Sequence, residues 1–326
     1  MRLDRVDQRL LGLLQTRVLL TSKPYAELGQ SLGVAEDEVI RRIEQMKLKG
    51  LVRQISPVLD ARRLGYKTTL IAMRVEETHL DRAAKFLTEH PGVSHAYERE
   101  HQFNLWFTLA VPDTVDTDSE LLQLADMIES ETAFDLPTVK VFKIRTYFSL
   151  DEDDHPAVPV GTPNGVTRQD VYLSTIDREV INELQQDLSL ISRPFTEMSA
   201  RLRIDEEKFL TQCQSLLSRG IIRRFGASVN HRRVGFAANA MTCWAVPAEK
   251  AEVIAEKLVP LKQVSHCYER KTNPEWHYNL FAMIHGHTRE QCQGIADKVS
   301  IETGFTDYVL LFSTREFKKT RVIYRV

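Results

Sequence analysis

Apolar residues recur at helical spacing through the first fifty positions. An i, i+4, i+5, i+8 stripe over residues 6–14 predicts an amphipathic helix. A short helical segment follows over 25–32, and a longer one over 36–49 ends at Gly50, a residue that favours a helix terminus. A strand-like segment over 51–59 comes next. Three helices and a short β-wing predict a winged helix-turn-helix domain.

The next hundred residues alternate between the strand period and the helix period. Strand patterns cover 68–75, 93–100, 104–110 and 138–147, and helical patterns cover 79–89 and 119–131. The order is therefore β-α-β-β-α-β, which predicts a ferredoxin-like domain.

The second half of the chain repeats this pattern. Asp7 and Gly50 recur as Asp177 and Gly220 at a constant offset of 170 residues. We predict an α+β protein, a tandem repeat of a winged helix-turn-helix and a ferredoxin-like (βαββαβ) domain that forms an internal pseudo-dimer. The predicted winged helix-turn-helix domains are 1–62 and 173–232, the predicted ferredoxin-like domains are 63–148 and 233–326, and an acidic, proline-containing linker covers 149–172.

One short motif is also repeated, on a predicted strand of each half. His95, Tyr97 and Arg99 (the first row) recur as His266, Tyr268 and Arg270 (the second row). Side chains at i, i+2 and i+4 of a strand point to one face. Because arginine matches carboxylates through its planar fork and histidine titrates near neutral pH, the two rows predict a site for an anionic ligand.

Composition narrows the class of protein. The chain has 326 residues, 43% of them hydrophobic, and a formal net charge of −2. It is long enough for several domains, and it has no overall basic field to gather nucleic acid. The four cysteines form no CxxC pair, which argues against a disulfide framework and a zinc site. With no apolar signal core or span-length apolar run, a soluble cytoplasmic protein is expected.

These features resemble two related families. The order of domains is similar to that of the Lrp/AsnC transcriptional regulators, which dimerise through their sheets. The strand signatures at 103–108 and 278–286, with Arg223–Ala227 and His231–Arg233, resemble more closely the siroheme decarboxylases. Those enzymes consist of two paralogous subunits that are fused in some members, and the resemblance covers nearly the whole chain outside the linker.

The resemblance implies a carbon–carbon lyase. Its expected reaction is the non-oxidative removal of two acetate carboxyls of siroheme, giving didecarboxysiroheme in heme d1 or alternative heme biosynthesis. The substrate carries the iron, so neither a cofactor nor a resident metal is expected. The expected partner is siroheme, with no DNA and no membrane. A homodimer of such chains and contacts with other heme d1 pathway proteins are left open.

The candidate site residues follow from the substrate, a flat macrocycle with a fringe of carboxylates. The catalytic candidates are His95, His101, His266, Tyr97 and Tyr268. The substrate-binding candidates are Arg99, Arg270, Arg223, Arg224, Asn104, Trp106, Asn279 and His231. A histidine can ligate heme iron or donate a proton, and which histidine does either is open. Any one histidine on a strand is more often structural, and Trp106 is more often a packing residue.

The alternative is an Lrp/AsnC-type DNA-binding regulator with a small-molecule or heme effector. Its presumed recognition helices would begin with the acidic runs 36–38 and 205–207. The start of a recognition helix lies between phosphates, which repel carboxylates. The basic residues Arg41, Arg42 and Lys47 lie further along the helix, so this objection is partial. The enzyme interpretation is favoured.

Overall fold

Two helical groups and two strand-rich groups alternate along the chain. The computed structural model describes residues 3–16, 18–144, 172–230 and 238–326. The first half contains α1 (Arg5–Thr16), α2 (Pro24–Leu32), α3 (Glu36–Leu48), β1 (Val52–Leu59), β2 (Tyr66–Arg74), α4 (Leu80–Glu89), β3 (Val93–Arg99), β4 (Leu105–Pro112), α5 (Thr117–Ile128) and β5 (Thr132–Ile144). The second contains α6 (Thr175–Leu184), α7 (Pro194–Arg201), α8 (Glu206–Ser218), β6 (Ile222–Val229), β7 (Ala238–Trp244), α9 (Ala251–Leu258), β8 (Val264–Arg270), β9 (Leu280–Gly286), α10 (Arg289–Thr303) and β10 (Tyr308–Lys319). Of the predicted linker, Tyr172 alone lies among the described residues.

Local sequence explains where the helices begin and end. Ser174 and Asp177 form a reciprocal capping box at the start of α6, which satisfies two backbone donors that the helix leaves unpaired. Gly33 ends α2 at φ +71°, and Gly50 follows α3 at φ +64°. Both lie in the left-handed region that glycine tolerates without a Cβ clash. The predicted helix terminus at Gly50 is confirmed.

The helical groups of the two halves share one hydrophobic core. It includes Leu10 and Ile43 from the first half and Phe195, Phe209 and Phe225 from the second, all nearly inaccessible to solvent. The wing strands join the halves as well, because β1 and β6 pair antiparallel as a two-stranded ribbon. The ribbon therefore fixes the two helix-turn-helix groups relative to each other.

The other eight strands close into a barrel in the order β10-β3-β4-β2-β5-β8-β9-β7. Each half supplies four neighbouring strands. The last strand of each half pairs across to the other half, β5 with β8 and β10 with β3. Among the described strands, those of the barrel therefore leave no open sheet edge, which is the usual liability of a β-sheet.

The two faces of the sheet contact different partners, as the period-2 pattern predicts. Leu105 and Phe107 pack in a buried cluster with α4 and α5 residues. Trp106 points the other way, into the barrel, where it packs in a cluster with Phe281 and Leu311 of the second half. Its indole nitrogen donates to the Phe103 carbonyl at 2.7 Å. The interior is thus apolar at this level and contains residues from both halves.

The ribbon depends on a close backbone approach at Gly226. A Cβ there would lie 2.5 Å from the Leu14 carbonyl oxygen of α1. Gly226→Ala should therefore lower the free energy of unfolding by about 1–3 kcal/mol, as overpacking does. The matched control is Gly12→Ala in α1, where a Cβ meets nothing within 4 Å. Gly12→Ala should raise stability by about 0.5–1 kcal/mol. Urea unfolding measures both, and equal effects would contradict the steric explanation.

Candidate functional site

A cavity lies between the barrel and the β1–β6 ribbon. Its volume is about 1610 Å³, above the roughly 300–1,000 Å³ of ordinary ligand pockets. Both rows line it, so the two halves contribute to one continuous space. Among its described lining residues, arginines and lysines outnumber aspartates and glutamates. The cavity is therefore suited to a large anionic ligand.

In the first row, the three side chains stack along β3. The His95 and Tyr97 rings lie 6.5 Å apart and nearly parallel, and the Arg99 guanidinium is 5.3 Å from the Tyr97 ring centroid. Arg99 Nη1 donates to the Leu311 carbonyl at 2.9 Å and to Ser313 Oγ at 3.1 Å. Part of the donor capacity of Arg99 thus holds β10 against β3.

The second row reproduces this arrangement on β8. The His266 and Tyr268 rings are 5.9 Å apart, and the Arg270 guanidinium lies 4.9 Å from the Tyr268 ring. Arg270 Nη1 donates to the Leu136 carbonyl at 2.9 Å and to Thr138 Oγ1 at 3.0 Å. The buried Arg270 Nε has no hydrogen-bond partner among the described residues. A donor left unsatisfied in an apolar setting is costly, and a ligand acceptor would remove that cost.

Three predicted residues are not among those that line the cavity. The Asn104 amide exchanges two hydrogen bonds with the Val75 backbone, at 2.8 and 3.0 Å, and Asn279 does the same with Val246. Neither residue lines the cavity, and both amides are engaged in pairing with the backbone; their predicted substrate-binding role stays a prediction. His101 also lies outside the lining. His231 falls outside the described residues.

His101 belongs to the loop after β3. Its ring packs edge-on against Trp276, with centroids 5.4 Å apart, and its Nδ1 accepts from the Phe103 amide at 3.1 Å. Burial lowers the pKa of His101. The His101 ring therefore packs against Trp276 and braces its loop, and its predicted catalytic role stays a prediction.

Cationic groups face the cavity from the ribbon and the C-terminal segment. Arg224 is largely buried, and burial lowers its pKa to about 10. Within the described part of the chain, its Nη1 has no hydrogen-bond partner. Arg223 is more exposed, with its Nε 3.8 Å from Asp60. Arg321 donates to Ser56 and to the Gly226 carbonyl, and burial lowers its pKa to about 9. The predicted Arg223 and Arg224 thus both line the cavity.

Sequence reasoning missed Lys319 and Arg321. Lys319 is the last residue of β10, the strand that closes the barrel, and it is the register partner of His95. Arg321 lies two residues further along the chain. The basic run 318–321 was the available signal, but nothing in the sequence states that the end of the chain returns to the first half. Ser94 and Ser265 were also missed, although each directly precedes a row histidine.

The imidazoles in the cavity are neutral at pH 7. Burial, reinforced by the Lys319 ammonium, lowers the pKa of His95 to about 3 and that of His266 to about 4. Burial, followed by the neighbouring His266 and the Lys319 ammonium, lowers the pKa of His285, a buried histidine on β9, to about 3. A neutral imidazole can ligate iron or donate one N–H, and a bound carboxylate would raise its pKa.

The described residues carry no other site of comparable character. They contain no group of three or more His, Cys, Asp or Glu side chains that could hold a metal ion. The four cysteines are free and buried. None of the helices in the described part of the chain has the length and apolar content that a bilayer span requires.

Comparisons with known proteins agree with this arrangement. A model of the AsnC-like ligand binding domain matches residues 63–143 and 233–318, and a model of the siroheme decarboxylase NirDL-like HTH domain matches 7–53 and 177–223. The fold and the cavity thus place the chain among proteins that combine these two domains. By sequence, it is 39% identical over 322 residues to the siroheme decarboxylase of Hydrogenobacter thermophilus, covering 97% of this chain and 94% of that protein. The chain belongs to the siroheme decarboxylase family.

Further relatives support the assignment over the full length. The siroheme decarboxylase NirDL subunit of Paracoccus pantotrophus is 31% identical, with 98% of this chain and 97% of that protein aligned. The crystal structure of the siroheme decarboxylase NirDL in co-complex with an iron-uroporphyrin III analogue superposes with a TM-score of 0.73 at 35% identity, covering 99% of this chain and 95% of that one.

The neutral histidines predict a pH dependence of stability. An unfolded histidine has a pKa near 6.5, whereas that of His95 in the folded protein is about 3. Between these values the unfolded state binds more protons, so stability falls as pH falls below about 6.5, by up to about 1.4 kcal/mol per pH unit for such a group. His95→Gln should make this slope shallower in urea unfolding between about pH 7 and pH 5. Gln102→Ala, at an exposed position without a titratable side chain, provides the control and should keep the wild-type slope.

Proposed function

We propose that this protein is a siroheme decarboxylase that removes two acetate carboxyls of siroheme as CO₂ and leaves methyl groups. The observation that carries this proposal is the large cavity that both rows line. Arginines and lysines outnumber aspartates and glutamates among its described lining residues. Full-length relatives with that activity in their names support it. The product would be didecarboxysiroheme, an intermediate for heme d1 or alternative heme biosynthesis.

The cavity offers separate surfaces to the ring and to its carboxylates. Trp106, Phe281 and Met283 supply an apolar wall from inside the barrel. Arg224 and Arg321 approach from the ribbon side, where a carboxylate would lower the cost of burying their charges. We propose that these arginines, with Arg223, hold carboxylates of the macrocycle.

The reaction needs a place for an electron pair and a proton. When the bond between the acetate methylene and its carboxyl breaks, CO₂ leaves and the electron pair stays with the methylene and the conjugated ring. One proton then forms the methyl group. Protonation of the macrocycle would make the ring a better sink. His95 and His266 border the cavity as neutral imidazoles. We propose that they face the iron or donate protons, with Tyr97 and Tyr268 holding their rings in stacked positions. No cofactor beyond the iron of the substrate is required.

The architecture proposed here is an internal pseudo-dimer of two ferredoxin-like domains, each preceded by a winged helix-turn-helix. Equivalent strand pairs support it, since β3 pairs with β4 as β8 pairs with β9. The reciprocal pairs β5–β8 and β10–β3 then act as the dimer interface.

A DNA-binding role is not favoured. The first turn of α3 carries Glu36, Asp37 and Glu38, and Glu36 accepts a hydrogen bond from Ser192 of the second helical group. Carboxylates at this position oppose approach to phosphates. We propose that the helix-turn-helix groups are scaffold, because their wings form one wall of the cavity.

Mass spectrometry of siroheme incubated anaerobically with the pure protein tests the reaction. The expected product has lost two CO₂ units. His266→Ala and His95→Ala should each lower kcat, by about a hundredfold where the imidazole is the proton donor. His277→Ala, at an exposed position on the protein surface, should retain wild-type turnover. Unchanged siroheme with the folded wild-type protein would refute the proposal.

Binding can be tested apart from turnover with iron-uroporphyrin III and absorbance titration. Arg224→Gln removes a buried guanidinium from the cavity wall. It should weaken binding about ten- to a hundredfold, the range expected for hydrogen bonds to a charged group. Arg41→Gln on the exposed face of α3 removes the same charge away from the cavity and should bind as the wild type does. Equal affinities for all three proteins would exclude Arg224 from the binding site.

A further inference from the structure

A buried position next to the rows is occupied by different residues in the two halves. In the first half, Val93 pairs with Leu109, and the next residue, Ala110, donates its amide to the Gly92 carbonyl. In the second half, Val264 pairs with Ile284, and the next residue, His285, donates its amide to the Gln263 carbonyl. Ala110 and His285 are therefore structural equivalents, and the second half has an imidazole where the first has a methyl group.

That imidazole is joined to the second row through one hydroxyl. Ser265 Oγ lies 2.7 Å from His266 Nδ1 and 2.7 Å from His285 Nε2. His285 is 6% exposed and Ser265 is 2% exposed. In the first half, Ser94 Oγ lies 2.8 Å from His95 Nδ1, but Ala110 offers it no second ring. The histidine–serine–histidine chain thus exists on one side of the cavity.

The hydroxyl couples the tautomers of the two rings. A serine hydroxyl has one proton to donate, and both imidazoles are neutral. When His285 Nε2–H donates to Ser265 Oγ, the hydroxyl can donate to His266 Nδ1. The neutral His266 then carries its proton on Nε2, the ring nitrogen left for a ligand. If the chain runs the other way, His266 Nε2 is an acceptor.

A carboxylate-bearing substrate selects between these two states. A carboxylate accepts hydrogen bonds and favours a donor facing it. The state with the proton on His266 Nε2 supplies that donor, and it requires His285 to donate through Ser265. In the first half, the Ser94 hydroxyl has no second imidazole in this position to fix its direction, so the tautomer of His95 is set less firmly.

We propose that His285 is a positioning residue that, through Ser265, fixes the ring orientation and the Nε2–H tautomer of His266, which makes the second row the proton-donating side of the cavity. This inference rests on the proposed decarboxylase function for its kinetic consequence. The tautomer itself is a property of the folded protein.

The experiment compares Ser265→Ala and His285→Leu with the wild type. Both variants interrupt the hydrogen-bonded connection between His285 and His266. We expect kcat for CO₂ release to fall about tenfold, as for removal of a residue that orients a functional histidine, and KM to change by no more than about twofold. His285→Gln places an amide near the former Nε2 position and should recover most of the activity. Ile284→Val removes one methyl group from a buried neighbour of His285 on β9 and leaves Ser265 and both histidines in place. It should retain wild-type kcat.

Nitrogen-15 NMR of histidine-labelled protein gives a readout independent of turnover. The wild type should show His266 as one tautomer, and Ser265→Ala and His285→Leu should show a mixture. Ser94→Ala, the matched change in the first half, should leave the His266 signals unchanged. A wild-type tautomer and wild-type kcat in Ser265→Ala would overturn the proposal, as would failure of His285→Gln to restore both. If the wild type releases no CO₂, the proposed function fails while the tautomer measurement still decides the positioning role.

Discussion

The exchange of terminal strands between the halves is the interaction on which the site depends. β5 pairs with β8 and β10 pairs with β3, which closes the barrel and turns the open face of each sheet inward. The row arginines reinforce both junctions. Arg99 donates to β10 and Arg270 donates to β5, each through a backbone carbonyl and a hydroxyl. Without this closure, the rows would lie on two exposed sheet faces and would not share a cavity.

Closure also determines the electrostatics of the cavity. Burial, reinforced by cations such as Lys319, keeps the imidazoles neutral, and burial also lowers the pKa values of Arg224 and Arg321. Burying a charge without a partner is unfavourable. An anion that pairs with the buried arginines of the cavity would therefore lower the free-energy cost of burying them. A ligand with several carboxylates and an apolar plane matches both the cations and the aromatic interior. The same features that reduce stability in the empty protein therefore favour binding.

The helix-turn-helix groups contribute directly to the cavity. Their wings pair as the β1–β6 ribbon, and this ribbon covers the cavity with Arg223 and Arg224. The acidic starts of the third helices are used inside the fold, as in the contact of Glu36 with Ser192. The barrel and the β1–β6 ribbon thus form the walls of one chamber. Within that near-symmetric chamber, the His285–Ala110 difference distinguishes one side from the other.

The sequence by itself determined the order of the elements, because helix and strand periods are local properties. It also determined which strand residues face the helices, as with Phe107, and which face away, as with Trp106. The repeated motif identified both rows for the same reason. The backbone hydrogen bonds of Asn104 and Asn279 and the ring contact of His101 were not predicted, because each depends on a loop that periodicity does not describe. Only the tertiary structure could bring Lys319 beside His95 or His285 to Ser265, because strand register and barrel closure join residues that local spacing leaves unrelated.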